Sequence, residues 1–220
     1  MERFYQALRG YWRSPDARGF VDLFVSDQTG GDWRAEDVLT VPVFLAHVID
    51  AEPWVGPALV EALRDGGAVK VEMLAQALNY SHTSQRPQLM ERLVGEAAAV
   101  AMEAEGADFT TFVPSHPVHV EMLWASFFAT GNALYLDRIT HLLAGWLPEA
   151  PLQALLERAA SEPAIQQQAL DGLLARAAEL TLTAQARTAS QPVQDALNRK
   201  AVAQDGLAAA LAARILAGLG

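Results

Sequence analysis

Apolar positions in this chain recur with the spacing of a helix face rather than the alternation of a strand. Two stripes carry the pattern most plainly, Met73/Leu74/Ala77/Leu78 and Met122/Leu123/Ser126/Phe127, each at i, i+1, i+4 and i+5. Read along its whole length, the pattern predicts helices over about 15–26, 41–51, 57–65, 68–80, 87–105, 117–130, 133–147, 152–160, 163–188 and 192–218. No alternating stretches bounded by Asn-Gly or Asp-Gly turns accompany them, although 38–45 is β-branched enough to read as a strand instead. Start signals reinforce the helices. Ser14-Pro15 reads as an N-cap followed by a first-turn proline, and Ser161-Glu162-Pro163 and Ser190-Gln191-Pro192 repeat the theme. Gly66-Gly67, Gly106 and Gly131 follow apolar stretches, where a left-handed residue commonly ends a helix.

Both stripes begin in a hexapeptide that occurs twice, Val69-Lys70-Val71-Glu72-Met73-Leu74 and, 49 residues later, Val118-His119-Val120-Glu121-Met122-Leu123. Each copy is followed by an acid-Arg-apolar triplet, Glu91-Arg92-Leu93 and Asp137-Arg138-Ile139. A period of this size belongs to stacked helical units, in which one hairpin buries its apolar face only against a neighbour. The expected fold is therefore all-α, with antiparallel helical hairpins stacked as a short α-solenoid or irregular bundle. In that arrangement Lys70 and His119 occupy equivalent, solvent-facing slots, and Glu121 pairs with Arg138 or Arg92.

The stretch from Val120 to Gly131, within 114–143, resembles a segment of bacterial helical proteins that have no assigned activity. In repeat length and helix pairing the chain is also similar to tetratricopeptide and HEAT-type arrays, without the tetratricopeptide pattern of Trp, Leu-Gly, Tyr, Ala and Pro at fixed positions. These resemblances imply a helical, repeat-like fold and transfer no catalytic residue.

Composition divides the chain. Every Trp, Phe and Tyr lies at or before Trp146, and residues 1–146 hold 19 acidic against 10 basic residues, whereas 147–220 hold seven against six. Residues 152–220 contain 20 alanines and no aromatic residue. An aromatic-rich acidic region, 1–146, is thus expected to carry an Ala-rich hairpin, 147–220, within one continuous domain, the break falling at 147–151. Small side chains predict a tight pairing of 163–188 with 192–218, Leu170, Leu173, Leu174 and Leu180 opposing Leu197, Leu207, Leu211 and Ile215. That hairpin is also a candidate surface for a homodimer.

A net charge of -10 sets this chain against a phosphate backbone, so no nucleic acid is expected as a partner. No apolar stretch reaches the ~20 residues of a membrane span, and no secretory signal is seen at the start, which together with the absence of cysteine fits a cytoplasmic protein.

Candidate chemistry is sparse. His116 and His119, at i and i+3, lie on one face at a helix start, and Asp137 or His141 on the following helix could complete a zinc site. The favoured reading is instead that His116 and Ser115 cap the helix and His119 takes a surface slot. Nucleophile elbows, phosphate loops, dinucleotide fingerprints and His-Glu-x-x-His are absent, so no cofactor is expected and an enzyme is the less favoured class. Trp124, Phe127 and Phe128 cover a wide arc of one helix, more than a single contact needs, which reads either as ordinary burial between two layers of helices or as candidate anchors for a partner in a solenoid groove. Trp12, Trp33 and Trp54 fall near helix ends, as packing under loops or as partner surface. The carboxylate-rich run Asp27 to Asp32 lacks calcium-loop spacing and reads as a loop ending in an Asp32 cap. The leading expectation is a helical-repeat interaction module that binds a protein or peptide through Trp124, Phe127 and Phe128. The alternative is a metal-binding protein or metal-dependent hydrolase using His116 and His119.

Overall fold

Every regular element in the computed structural model is a helix among the described residues, which are 2–26, 33–64, 66–101, 106–188, 190–203 and 206–218. The stretch 38–45 is helical, lying inside a helix that is apolar on nearly all sides, as a central element requires. The run Asp27 to Asp32, with its expected cap, lies outside the described residues.

The chain forms two compact units, one of Met1–Phe112 with Trp124–Gly131, the other of Val113–Leu123 with Asn132–Gly220. The segment 147–151 lies inside the second. The first unit contains α1 (Glu2–Gly10), α2 (Ala17–Val25), α3 (Asp37–Ala51), α4 (Val55–Ala62), α5 (Ala68–Tyr80), α6 (Arg86–Val94) and α7 (Glu96–Ala101). Its core is aromatic: Phe4, Phe20 and Phe24 from α1 and α2 meet Phe44 from α3 and Tyr11, with Trp33 set edge-on to Phe4 at 5.3 Å. Within this unit α3 packs on α5.

In α8 (Val118–Thr130), residues 118–123 belong to the second unit and 124–130 to the first. The second unit continues through α9 (Ala133–Leu142), α10 (Glu149–Ala159), α11 (Pro163–Arg187), α12 (Gln191–Val202) and α13 (Leu207–Ala217). There α10 folds back on α11, and α12 packs on both α9 and α13.

Four expectations about the helices are corrected. The first is α1, unforeseen because it spans only nine residues, with Phe4 and Leu8 as its buried pair. The second is the start of α2 at Ala17, capped by Asp16, whose carboxylate accepts from the Gly19 backbone N–H at 2.8 Å, rather than by Ser14. The third is the expected helix 87–105, which breaks into α6 and α7 at Gly95. Gly95 adopts φ +85°, and a Cβ there would meet nothing within 4 Å, so the requirement for glycine is conformational alone. The fourth is the expected helix 192–218, which divides into α12 and α13; Gly206, at φ +136°, precedes α13. The expected set of opposing side chains in that hairpin changes with it. Leu180 is 66% and Leu207 58% exposed, and the buried face of α11 is instead Ala169, Gly172, Leu174, Ala175, Ala178, Leu182 and Ala186. Small residues form this face because they let helices approach closely.

The paired hexapeptides open helices of equal length, α5 and α8, both of 13 residues, and the eight stripe positions are all buried. Their second positions do not face solvent as expected. Lys70 is 9% exposed, its ammonium donating to the carbonyls of Val25 at 3.2 Å and Ser26 at 2.9 Å. A cation placed there satisfies carbonyls at the end of α2 and meets the negative end of that helix dipole. Arg92 pairs with Glu61 at 3.2 Å.

Candidate functional site

The aromatic trio expected to anchor a partner is interior. Trp124, Phe127 and Phe128 are 1%, 1% and 7% exposed, Trp124 stacking on Phe128 at 5.5 Å and Phe127 lying against Trp12 at 5.4 Å. The wide arc they cover is consumed by burial on several sides, which a single helix pattern cannot distinguish from partial exposure. The Trp124 indole Nε1 has no hydrogen-bond partner among the described residues. Trp33 packs in the first unit's core, Trp12 carries the Arg13 guanidinium at 4.8 Å over its ring, and Trp54 is half-exposed with its indole donating to Glu52 at 3.1 Å.

His116 and His119 are neighbours, ring centroids 6.1 Å apart, at the start of α8. Each imidazole is tied to local backbone: Nδ1 of His116 accepts from the Val118 N–H at 3.2 Å, and Nδ1 of His119 from the Ser115 N–H at 3.0 Å. Burial, followed by the neighbouring charge of His116, holds His119 below the ordinary histidine range. No group of three or more His, Cys, Asp or Glu with metal-binding geometry occurs among the described residues. Asp137 and His141, named from sequence as possible third ligands, line a different feature.

That feature is a cleft of about 440 Å³ in the second unit. Its apolar lining comes from Val113 and Pro114 in the segment before α8, Leu123 of α8, Leu142 of α9 and Leu174 of α11. Its polar lining comes from Asp137, Arg138 and His141 of α9 and from Gln167 and Asp171 of α11. Helical spacing explains the arrangement. On α9, residues 138, 141 and 142 fall on one side at i, i+3 and i+4, and on α11 residues 167, 171 and 174 fall on one side at i, i+4 and i+7.

The walls are braced at one end. The 3-10 turn Leu143–Gly145 follows α9 directly, and Gly145 lies so close to α11 that a Cβ would sit 2.6 Å from the Asp171 carbonyl oxygen. Just beyond, the Trp146 indole donates to the Glu179 carboxylate at 2.7 Å, and the same carboxylate receives Arg176 at 2.7 Å and Arg214. Burial pushes the Glu179 carboxyl up, but these three donors outweigh it and hold the group below the ordinary carboxylate range. Both guanidiniums lie over the Trp146 ring, at 5.8 and 5.0 Å. Turn and staple together fix the spacing of α9 and α11.

Within the cleft the charges are not equivalent. Asp137 pairs with Arg199 at 2.7 Å. The Asp171 carboxylate accepts from the Gln167 side-chain amide at 2.8 Å and has no cationic partner among the described residues. Val113, at the lip, is 78% exposed. A trough of this volume, apolar with a few fixed polar groups, has the character of a binding site. A second cleft, of about 210 Å³ between α5, α6 and α7, is smaller and lies in the first unit.

No family model, curated protein or solved structure matches this chain. The site therefore stands on its own geometry. From sequence, Asp137 and His141 could be named as possible third metal ligands on the helix after His116 and His119, and Asp137 also from the repeated acid-Arg-apolar triplet. Gln167, Asp171 and Val113 carried no local signal; they join the cleft only through the packing of α9 on α11.

Proposed function

We propose that this protein is a helical interaction module that binds a protein or peptide partner in the cleft between α9 and α11. The observation carrying this reading is the cleft itself: an apolar trough of about 440 Å³ with an exposed valine at its lip, polar groups on both helical walls, and walls braced by the Trp146–Glu179 staple. Apolar contact supplies affinity in such a site and the polar rim supplies register. The repeat reading draws support from the two hexapeptides, which begin helices of equal length with matching buried positions. Relative to the sequence-based expectation the binding surface moves from Trp124, Phe127 and Phe128, which are interior, to the trough ending at Val113.

Immobilised protein tests the reading in an extract of its own source cells. A partner retained by the wild type and by Trp54→Ala, a surface change in the other unit, but lost on Val113→Glu, is the expected result. Equal capture by all three proteins would remove the cleft from the interaction.

A further inference from the structure

The charges lining the cleft allow its occupant to be specified, given the reading above that the cleft is a binding site. On the α9 wall the cation Arg138 and the anion Asp137 stand side by side, and Asp137 is engaged by Arg199 at 2.7 Å. On the α11 wall stands Asp171, exposed, with only the neutral Gln167 amide on its carboxylate at 2.8 Å. Its backbone abuts Gly145, and further along α11 Arg176 pairs with Glu149 and Glu179. The hydrogen bond from Gln167 engages one carboxylate oxygen, and Asp171 is among the residues lining the trough. Below it lies Leu174, one turn along the same helix, and across the trough are Leu123, Leu142 and Val113.

We infer that the cleft takes a peptide segment presenting an apolar side chain beside a basic one, the apolar group filling the trough between Leu123, Leu142 and Leu174 and the Lys or Arg pairing with Asp171. Charge complementarity carries the choice. The carboxylate left without a cation stands on the α11 wall, so an acidic side chain there would face repulsion. Across the chain, 26 acidic residues against 16 basic ones draw basic partners and repel acidic ones. An Arg or Lys would also lay its apolar stem along Leu174 while its charge reaches Asp171.

A library of random 12-residue peptides displayed on phage, panned on the full-length protein with Val113→Glu as the counter-selection, reads this directly. Enriched peptides are expected to share an apolar residue next to Lys or Arg. Synthetic versions should bind roughly three- to fivefold more weakly to Asp171→Asn, as expected for an exposed charge pair, and the loss should shrink at high salt. Panning on Asp171→Lys should in turn select acidic residues at the same place. Both substitutions fall on an exposed position, so unchanged helical content by circular dichroism is expected and checks the fold. Peptides that need an intact Val113 but show no basic residue, or that bind Asp171→Asn and Asp171→Lys as well as the wild type, would overturn the assignment of the basic side chain and leave the cleft as the binding site. No enrichment once binders of Val113→Glu are subtracted would overturn both.

Discussion

Three residues carry consequences that their neighbours do not. Trp124 is interior, so Trp124→Ala should act on stability rather than on recognition, with a loss of about 3–5 kcal/mol in chemical denaturation. Lys70 is a capping residue of α2 in this fold; Lys70→Met keeps most of the stem but removes the donor to Val25 and Ser26, and should cost about 1.5–3 kcal/mol. A Lys70→Met protein as stable as the wild type would show that the two carbonyls are equally well served by water. His47, on α3 beside the Phe109 ring at 5.7 Å, is held neutral by burial and by the nearby charge of His82, and its value falls to about 4. Its folded value lies below the unfolded one near 6.5, so the unfolded state takes up the proton first. The contribution of neutral His47 is complete above pH 6.5, declines as the pH falls through the window from 6.5 to 4, and amounts to about 3 kcal/mol when fully lost. Denaturation curves at pH 7 and pH 4 should therefore differ less for His47→Leu than for the wild type by about that amount; an equal difference would assign the pH dependence to other groups.

Among the elements, the tightest approach at the cleft is that of the turn Leu143–Gly145 to α11. Gly145→Ala forces a Cβ to within 2.6 Å of a backbone oxygen, which cannot swing aside, and should destabilise by about 1–3 kcal/mol while weakening partner binding. Gly10→Ala supplies the contrast. Gly10 closes α1 with ordinary helical angles and has nothing within 4 Å of a built Cβ, so the change should be neutral or add about 0.5–1 kcal/mol. The same distinction explains what could be read in advance. The α5 helix was legible to the residue because its stripe is uninterrupted and Ser81 lies just past its end. The break at Gly95 was not, since Leu93-Val94 before it and Ala97 to Val100 after it continue the helix-forming pattern and only its backbone angle marks the stop. Exposure of Leu180 was equally hidden: an Ala-rich helix offers several faces of similar hydropathy, and tertiary packing selects one. The cleft was half legible, Asp137 and His141 as possible metal ligands and Leu174 as a buried leucine, whereas Gln167 and Asp171 on the α11 wall carried no local signal.

For the molecule as a whole, no described helix is long and apolar enough to cross a membrane. The proposed pairing of a basic side chain with Asp171 predicts that binding weakens as salt rises. The Val113→Glu substitution should leave thermal stability within about 0.5 kcal/mol of wild type, because the side chain is at the surface, and should lower affinity roughly tenfold, because it places a charge on the apolar lip. Amide shift mapping by two-dimensional NMR, with a selected peptide titrated into labelled full-length protein, tests the central claim most directly. Perturbations concentrated at 113–114, 137–142 and 167–174 are the expected result. Perturbations centred elsewhere, with these three segments unmoved, would contradict the cleft as the binding site.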